Sequence, residues 1–136
     1  MRFVDTNILI YSLDLEPSQP EKTAIAQEIL TGTDIALSVQ VLQEFYVQAT
    51  QSRRPDALPH DIAARLIEKW QRFRIQDNTV AVLQSALRLK ERFQTSYWDA
   101  AILAAAKTAR CHQLLSEDLN HDQDYEGVVV VNPFLC

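Results

Sequence analysis

Short apolar runs alternate with segments of helical periodicity along the chain. Five short runs are predicted to be strands, at residues 2–4, 35–37, 74–76, 113–115 and 128–131, and all except 74–76 are mainly apolar. Six segments repeat apolar residues every three or four positions, which predicts helices with one buried face at about 8–13, 21–30, 39–51, 60–73, 80–93 and 97–109. Ser38, Thr79 and Ser96 precede the third, fifth and sixth of these helices, where an N-cap is expected.

This alternation of strands and helices predicts an α/β fold, in which a parallel sheet is covered by helices on both faces. The run 128–131 consists of four Val and shows no polar alternation, which is typical of a strand covered on both sides. A length of 136 residues suits one domain, 1–136. In parallel sheets of this kind, sites form outside the carboxyl ends of the strands.

Composition narrows the class of protein. A hydrophobic content of 47% argues against disorder, and only two Gly and five Pro argue against an all-β fold with many tight turns. Cys111 and Cys136 have no metal-binding spacing and are interpreted as reduced thiols. The apolar run after Arg2 stops at Asp5, and the longest apolar stretch, 100–106, is too short to cross a bilayer. We therefore expect a cytoplasmic protein with no membrane partner.

The formal net charge of −5 at first opposes a nucleic-acid partner. Its distribution is uneven, because segment 53–110 carries eleven Lys and Arg against six acids, whereas both flanking segments are acidic. The basic middle is either a set of solvated helix faces or, in part, a surface for a phosphate backbone. Charge alone does not decide between these interpretations.

Four acids stand where the predicted fold brings side chains together. Asp5 and Asp118 follow the first and fourth strands, Asp99 lies in the first turn of a helix, and Glu44 lies at the border of a buried helix face. Each alone is explained by a cap, a turn or a solvated face. Together they would repel, by about 4 kcal/mol for two unit charges at ~4 Å and an effective dielectric constant near 20. Oxygen ligands without a His or Cys cluster suit Mg²⁺ or Mn²⁺ as the counter-ion.

At these positions the chain resembles the PIN-domain family. The matching motifs occur in the family's order over essentially the whole chain: FVDTN at 3–7, VLQEF at 41–45, YWDA at 97–100 and LLSEDL at 114–119. The size of the chain and its start are most similar to VapC toxins of type II toxin–antitoxin pairs. The resemblance implies a three-layer α/β/α sandwich with a five-stranded parallel sheet.

The resemblance also implies a function and a site. The function is Mg²⁺- or Mn²⁺-dependent endoribonuclease activity, in which a metal-activated water cleaves RNA and leaves a 5′-phosphate and a 3′-hydroxyl. The implied partners are a small antitoxin, whose Arg often enters the acidic pocket, and a second copy in a homodimer. The implied catalytic and metal-binding residues are Asp5, Glu44, Asp99 and Asp118, with Glu117 as the alternative to Asp118.

Further residues are expected to support this site. Supporting polar positions are Asn7, Ser116 and Asp122. Candidates for gripping the RNA strand are Arg53, Arg54, Arg72 and Arg74, for each of which a solvated surface role is the competing interpretation.

Three other functions share some of these features. A haloacid-dehalogenase phosphatase needs a second Asp where Asn7 stands, and a response-regulator receiver needs a Lys after its last strand, whereas no Lys follows position 107. An inactive PIN-like RNA-binding module would be expected to lack one of the four acids. Metal-dependent hydrolysis of RNA, compared with that of a simple phosphomonoester, separates the alternatives.

Overall fold

A computed structural model describes residues 1–15 and 17–135 of the chain, so Cys136 lies outside the described residues. The strands are β1 (Arg2–Val4), β2 (Ile35–Ser38), β3 (Arg74–Gln76), β4 (Gln113–Leu115), β5 (Asp124–Tyr125) and β6 (Val128–Val131). The helices are α1 (Thr6–Tyr11), α2 (Pro20–Leu30), α3 (Val39–Ala49), α4 (His60–Trp70), α5 (Val80–Phe93) and α6 (Tyr97–Thr108). All five predicted strands and all six predicted helices are present, with boundaries shifted by up to three residues.

The sheet has the strand order β3-β2-β1-β4-β6-β5, and every neighbouring pair is parallel except β5 and β6. The α/β class is confirmed, but the described residues form six strands instead of the expected five, because of the antiparallel strand β5. This strand has only two residues, too few to show a periodicity, and it lies in a polar segment. Glu126 and Gly127 connect it to β6 and both have positive φ, as a two-residue type I′ hairpin turn requires.

The strand order places a reversal of direction in the middle of the sheet. The chain steps outward from β1 to β2 and β3, then returns past β1 to form β4 on its other side. Because such crossovers are right-handed, the reversal puts α1–α4 on one face and α5 and α6 on the other. A crevice opens where neighbouring strands diverge in this way, so the carboxyl ends of β1 and β4 flank the position at which α/β folds bind ligands.

Helix caps and small side chains fix the helices around that crevice. Ser38, Thr79 and Ser96 each accept a hydrogen bond from a backbone N–H in the first turn of their helix, at 3.1–3.2 Å, as predicted. Residues 100–106 of α6 are all buried, and five of the seven are Ala, so α6 packs closely against the sheet. No helix in the described part of the chain is long and apolar enough to cross a membrane.

Candidate functional site

Asp5 lies at the carboxyl end of β1, where it is also the N-cap of α1. Its side chain is only 6% exposed and accepts two hydrogen bonds, from the Thr6 backbone N–H to Oδ1 and from the Ser116 hydroxyl to Oδ2, both at 2.7 Å. Both carboxylate oxygens are therefore oriented by the protein. The carboxylate is held in one position at the centre of the sheet.

Ser116 joins the ends of β1 and β4. Its hydroxyl is fully buried, donates to Asp5 and accepts from the Asp118 backbone N–H at 3.1 Å. Asn7 makes a second connection, since its Nδ2 donates to Asp118 Oδ2 at 3.1 Å. The Asn7 Oδ1 atom is buried and has no hydrogen-bond partner in the described part of the chain. A buried amide oxygen without a partner is suited to an electron-pair acceptor such as a cation.

Glu44 and Asp99 complete the ring of acids from the two faces of the sheet. Glu44 is half-buried on α3, and its Oε1 accepts from Gln40 Nε2 at 3.2 Å. The same Gln40 amide donates to the Trp98 carbonyl at 3.3 Å and so links α3 to the first turn of α6. Asp99 is placed in that turn by the Ser96 cap.

These acids line one cavity of 340 Å³ at the carboxyl end of the sheet. Its walls include Asp5, Glu44, Asp99, Glu117 and Asp118. Charge repulsion from Asp118 raises the pKa of the other three acids, and Glu44 and Asp99 raise the pKa of Asp5 and Glu44 respectively. The structure therefore brings all four predicted acids together.

The cavity disfavours negative charge on its acids. Burial, with smaller contributions from Asp118 and Glu44, raises the pKa of Asp5 to about 7 against the hydrogen bonds that lower it. Burial also raises the pKa of Glu44 and of Asp99, and neighbouring carboxylates raise both further. A bound cation would relieve this repulsion.

Glu117 differs from Asp118 although both line the cavity. The Tyr11 hydroxyl donates to Glu117 Oε1 at 2.5 Å, and Lys22 Nζ donates to Oε2 at 3.0 Å. Both oxygens of Glu117 thus have partners and its charge is matched by a cation. Asp118 has only the Asn7 amide on its side chain among the described residues. Sequence reasoning missed Tyr11, Lys22 and Gln40; only Gln40 left a signal, four residues before Glu44 on one helix face.

The five remaining candidates are dispersed. Arg54 lines the cavity, and its Nε lies 3.2 Å from Asp56 Oδ1. Arg53 is exposed and donates to Gln51. The other three candidates do not lie in the cavity wall: Arg72 donates to the Leu30 carbonyl, Arg74 starts β3, and Asp122 pairs with His121. Arg72 and Arg74 lie at the amino end of the sheet, away from the acids, because β3 begins there.

The donors in the cavity fit a hard divalent cation in chemistry. They are carboxylates that repel one another, together with one unpaired amide oxygen. Within residues 1–15 and 17–135, no three His, Cys, Asp or Glu side chains are already close enough to hold one ion between them. An ion that keeps several water ligands, as Mg²⁺ does, needs few direct protein ligands.

Comparisons with known proteins agree on the fold. A family model described as "PIN domain" matches residues 2–124. A search of the curated proteins by sequence gives no significant match. Among solved structures, the chain is similar to a toxin–antitoxin complex from Klebsiella pneumoniae, with 23% identity, 98% of each chain covered and a TM-score of 0.71.

Two further structures show the same likeness. One is the toxin VapC20 of Mycobacterium tuberculosis, described as cleaving the sarcin–ricin loop, with 17% identity over 87% of this chain and 92% of that one and a TM-score of 0.68. The other is a DNA-bound VapBC complex from Salmonella typhimurium, with 15% identity over 95% of each chain and a TM-score of 0.67.

Proposed function

Because the chain belongs to the PIN domain family, we propose that it is a metal-dependent endoribonuclease and acts as a VapC-type toxin in the cytoplasm. The observation that carries the proposal is the convergence of four carboxylates on one cavity at the reversal point of the sheet. The similar solved structures include a toxin described as cleaving an RNA loop, which supports RNA as the substrate class.

We assign the metal to Asp5, Asp99, Glu44 and Asp118, with Mg²⁺ or Mn²⁺ as the ion. When bound, such an ion lowers the pKa of a water molecule and offsets the charge that builds up on the phosphate. Ser116 holds the Asp5 carboxylate in place, and the unpaired Asn7 Oδ1 offers a further oxygen toward the ion or its waters. The hydrogen bonds to both oxygens of Glu117 support Asp118 rather than Glu117 as the fourth acid.

The chain's own residues also restrict the reaction. The cavity walls contain no His among the described residues, so an imidazole pair that would deprotonate the RNA 2′-hydroxyl is absent from them. Water is therefore the proposed nucleophile, and it breaks the P–O3′ bond to leave a 5′-phosphate and a 3′-hydroxyl. Arg54 is the one Lys or Arg among the lining residues that the structure describes, and it is the proposed contact for a phosphate oxygen.

The experiment is cleavage of total RNA by the purified chain, followed by mapping of the new ends. We expect cleavage with Mg²⁺ or Mn²⁺, none in EDTA and none by Asp5→Asn, which should remain folded by circular dichroism. Cleavage that persists in EDTA, or products with 2′,3′-cyclic phosphate ends, would contradict the mechanism. Hydrolysis of a simple phosphomonoester without any cleavage of RNA would instead favour a phosphohydrolase.

We also propose a small antitoxin as the partner and a homodimer as the assembly. The acidic cavity would accept a basic side chain of the antitoxin, and similar solved structures are toxin–antitoxin complexes. Co-expression with the protein encoded upstream should yield a complex that is inactive on RNA. Light scattering of the purified chain should give twice the monomer mass of 15.5 kDa.

A further inference from the structure

An exposed indole stands beside the acidic cavity. Trp98 is 63% exposed, whereas the second Trp of the chain, Trp70, is 4% exposed and packs edge-on against Phe45 at 4.7 Å between ring centroids. A single exposed aromatic is ordinary on a protein surface and by itself indicates nothing. Its position matters here, because Trp98 directly precedes Asp99 and lines the cavity that holds the acids.

Trp98 also forms one wall of a neighbouring groove of 390 Å³. The rest of the groove comes from α3: Gln40, Gln43, Glu44, Val47 and Gln48. Glu44, Gln48 and Trp98 belong to the walls of both the groove and the acidic cavity, so the two spaces adjoin. Its volume is in the range of sites for small organic groups, about 300–1,000 Å³.

The backbone that carries the indole is fixed before any ligand arrives, and the indole itself contacts one neighbouring ring. The buried Gln40 amide donates to the Trp98 carbonyl, and the Ser96 cap fixes the same turn of α6. The Tyr97 ring meets the Trp98 ring edge-to-face, at 5.1 Å between centroids and 78° between planes. A rigid ring on a fixed turn loses less conformational entropy than a long flexible side chain when a second flat group stacks on it.

The chemistry of the groove favours an uncharged, planar, polar occupant. Among the residues that the structure describes, its walls carry no Lys or Arg, and Glu44 at the boundary with the cavity repels a phosphate. The Gln48 amide makes no hydrogen bond within the described part of the chain, and that of Gln43 has only a 3.5 Å contact from Asn78. An amide offers two donors and an acceptor, which match the edge of a nucleobase.

We propose that this groove is a nucleobase subsite, in which a base next to the cleaved phosphodiester stacks on Trp98 and is read by Gln43 and Gln48. The inference rests on the proposed ribonuclease function, since it places the backbone phosphate over the acids and the adjoining base in the groove. Single-stranded RNA is the form that can supply an unstacked base. The subsite would select the sequence that is cut.

Binding can be measured without cleavage in the Asp5→Asn background. The probes are a hexamer of oligoriboadenylate and an abasic hexamer with the same phosphates, both in the presence of Mg²⁺. We expect the oligoadenylate to quench the fluorescence of Trp98. The Trp98→Phe variant retains only Trp70 and so measures the background fluorescence. Trp98→Ala should weaken oligoadenylate binding roughly tenfold to hundredfold and leave abasic binding unchanged. Leu87→Ala, at a 54% exposed apolar residue on α5, is the matched control and should change neither.

The subsite would be overturned if Trp98→Ala bound the oligoadenylate as tightly as the protein with Trp98 does, or if the abasic hexamer quenched Trp98 as strongly as the oligoadenylate. Quenching on raising the protein concentration alone would also overturn it, because the indole would then lie between two copies of the chain. The same variants in the active protein separate this inference from the ribonuclease function. RNA cleavage by the wild type with unchanged cleavage and binding by Trp98→Ala would remove the subsite and leave the ribonuclease. Base-dependent quenching without any cleavage would support stacking of a base on Trp98 but contradict the ribonuclease function.

Discussion

At the scale of single residues, Asp5 combines two properties that oppose each other in the absence of a metal. It is nearly fully buried, which disfavours its charge, yet it is oriented by hydrogen bonds from Thr6 and Ser116 that suit a charged carboxylate. Burial is the larger effect, so the pKa of Asp5 rises to about 7. Without a metal, the Asp5 carboxyl group therefore keeps a proton below about pH 7.

This pKa makes the stability of the metal-free protein depend on pH. Between about pH 4 and 7 folded Asp5 keeps a proton that the unfolded chain releases, so the free energy of unfolding falls as pH rises. At about pH 8 the loss amounts to at most about 4 kcal/mol. Asp5→Asn should recover most of it. Urea unfolding in EDTA at several pH values measures the free energy of unfolding of both proteins. The same dependence on pH in the wild type and in Asp5→Asn would contradict the prediction. Mg²⁺ should stabilise the wild type more than the variant.

Glu117 and Asp118 are adjacent in the sequence but should respond differently to loss of charge. Asp118→Asn should lower RNA cleavage by at least roughly a hundredfold, as expected for loss of a metal ligand. Glu117→Gln should change cleavage only a few-fold, because Tyr11 and Lys22 already hold that side chain. Initial rates with Mg²⁺ compare the two variants. A larger loss in Glu117→Gln would reverse the assignment.

The convergence of the four acids could be predicted from the sequence because each lies at a strand end, in a first helical turn or at a helix border. In the structure all four lie in the wall of one cavity. The state of Glu117 could not be predicted. Its partners Tyr11 and Lys22 are 106 and 95 residues away along the chain, and only the packing of α1 and α2 brings them near.

At the scale of elements, local signals determined what could be predicted. Helices with a polar cap and an apolar face, and strands with consecutive apolar residues, carry their own signals, and their positions are confirmed. Strand β5 does not, since only its pairing with β6 and the turn at Glu126–Gly127 define it. The sequence did contain one cue, a Gly directly before four Val.

The caps of α5 and α6 form a matched pair for separating stability from activity. Thr79 and Ser96 each accept a 3.1 Å hydrogen bond from the backbone, but only α6 carries site residues in its first turn. Thr79→Ala and Ser96→Ala should each cost about 1 kcal/mol of stability. Only Ser96→Ala should also lower RNA cleavage, because fraying displaces Asp99. Urea unfolding and initial rates test this, and equal activity losses would contradict it.

At the scale of the whole molecule, the basic middle of the chain does not form one surface. Arg72 and Arg74 lie at the amino end of the sheet, and Arg54 lines the acidic cavity. Three other basic residues converge on one carboxylate of the β5–β6 turn. They are Arg88, Arg92 and Lys107, at 2.6–2.7 Å from Glu126. Counting charges along the sequence could not show this, because the neutralising acid lies in a different segment.

This cluster attaches the hairpin to α5 and α6. Hydrogen bonds from Arg88, Lys107 and Arg92 lower the pKa of Glu126 to about 2, so its stabilisation is present above about pH 4.5 and is lost as pH falls toward 2. The raised pKa of Asp5 has the opposite effect, since it lowers stability as pH rises from about 4 to 7. The metal-free protein should therefore be most stable near pH 4–5.

Glu126→Gln should reduce stability at neutral pH by roughly 1–2 kcal/mol, a modest value because both Arg side chains are more than half exposed. The variant should also lose less stability than the wild type as pH falls from about 4.5 to 2 (the acid limb). The fall in stability between about pH 4 and 7, which comes from Asp5 (the neutral limb), should be unchanged. Thermal unfolding across the pH range measures both limbs. A profile that keeps its acid limb in this variant would show that other carboxylates cause it.

The hydrogen bond from Ser116 to Asp5 spans 111 residues of sequence. During translation, β1 emerges first but cannot gain its β4 neighbour, and Asp5 cannot gain Asp118, until nearly the whole described chain has left the ribosome. A nascent chain that has not yet released β4 and Asp118 is thus unable to assemble the acidic cavity. If the cavity cleaves RNA, a nascent chain that ends before β4 is inactive, because the order of the strands along the chain leaves its site incomplete.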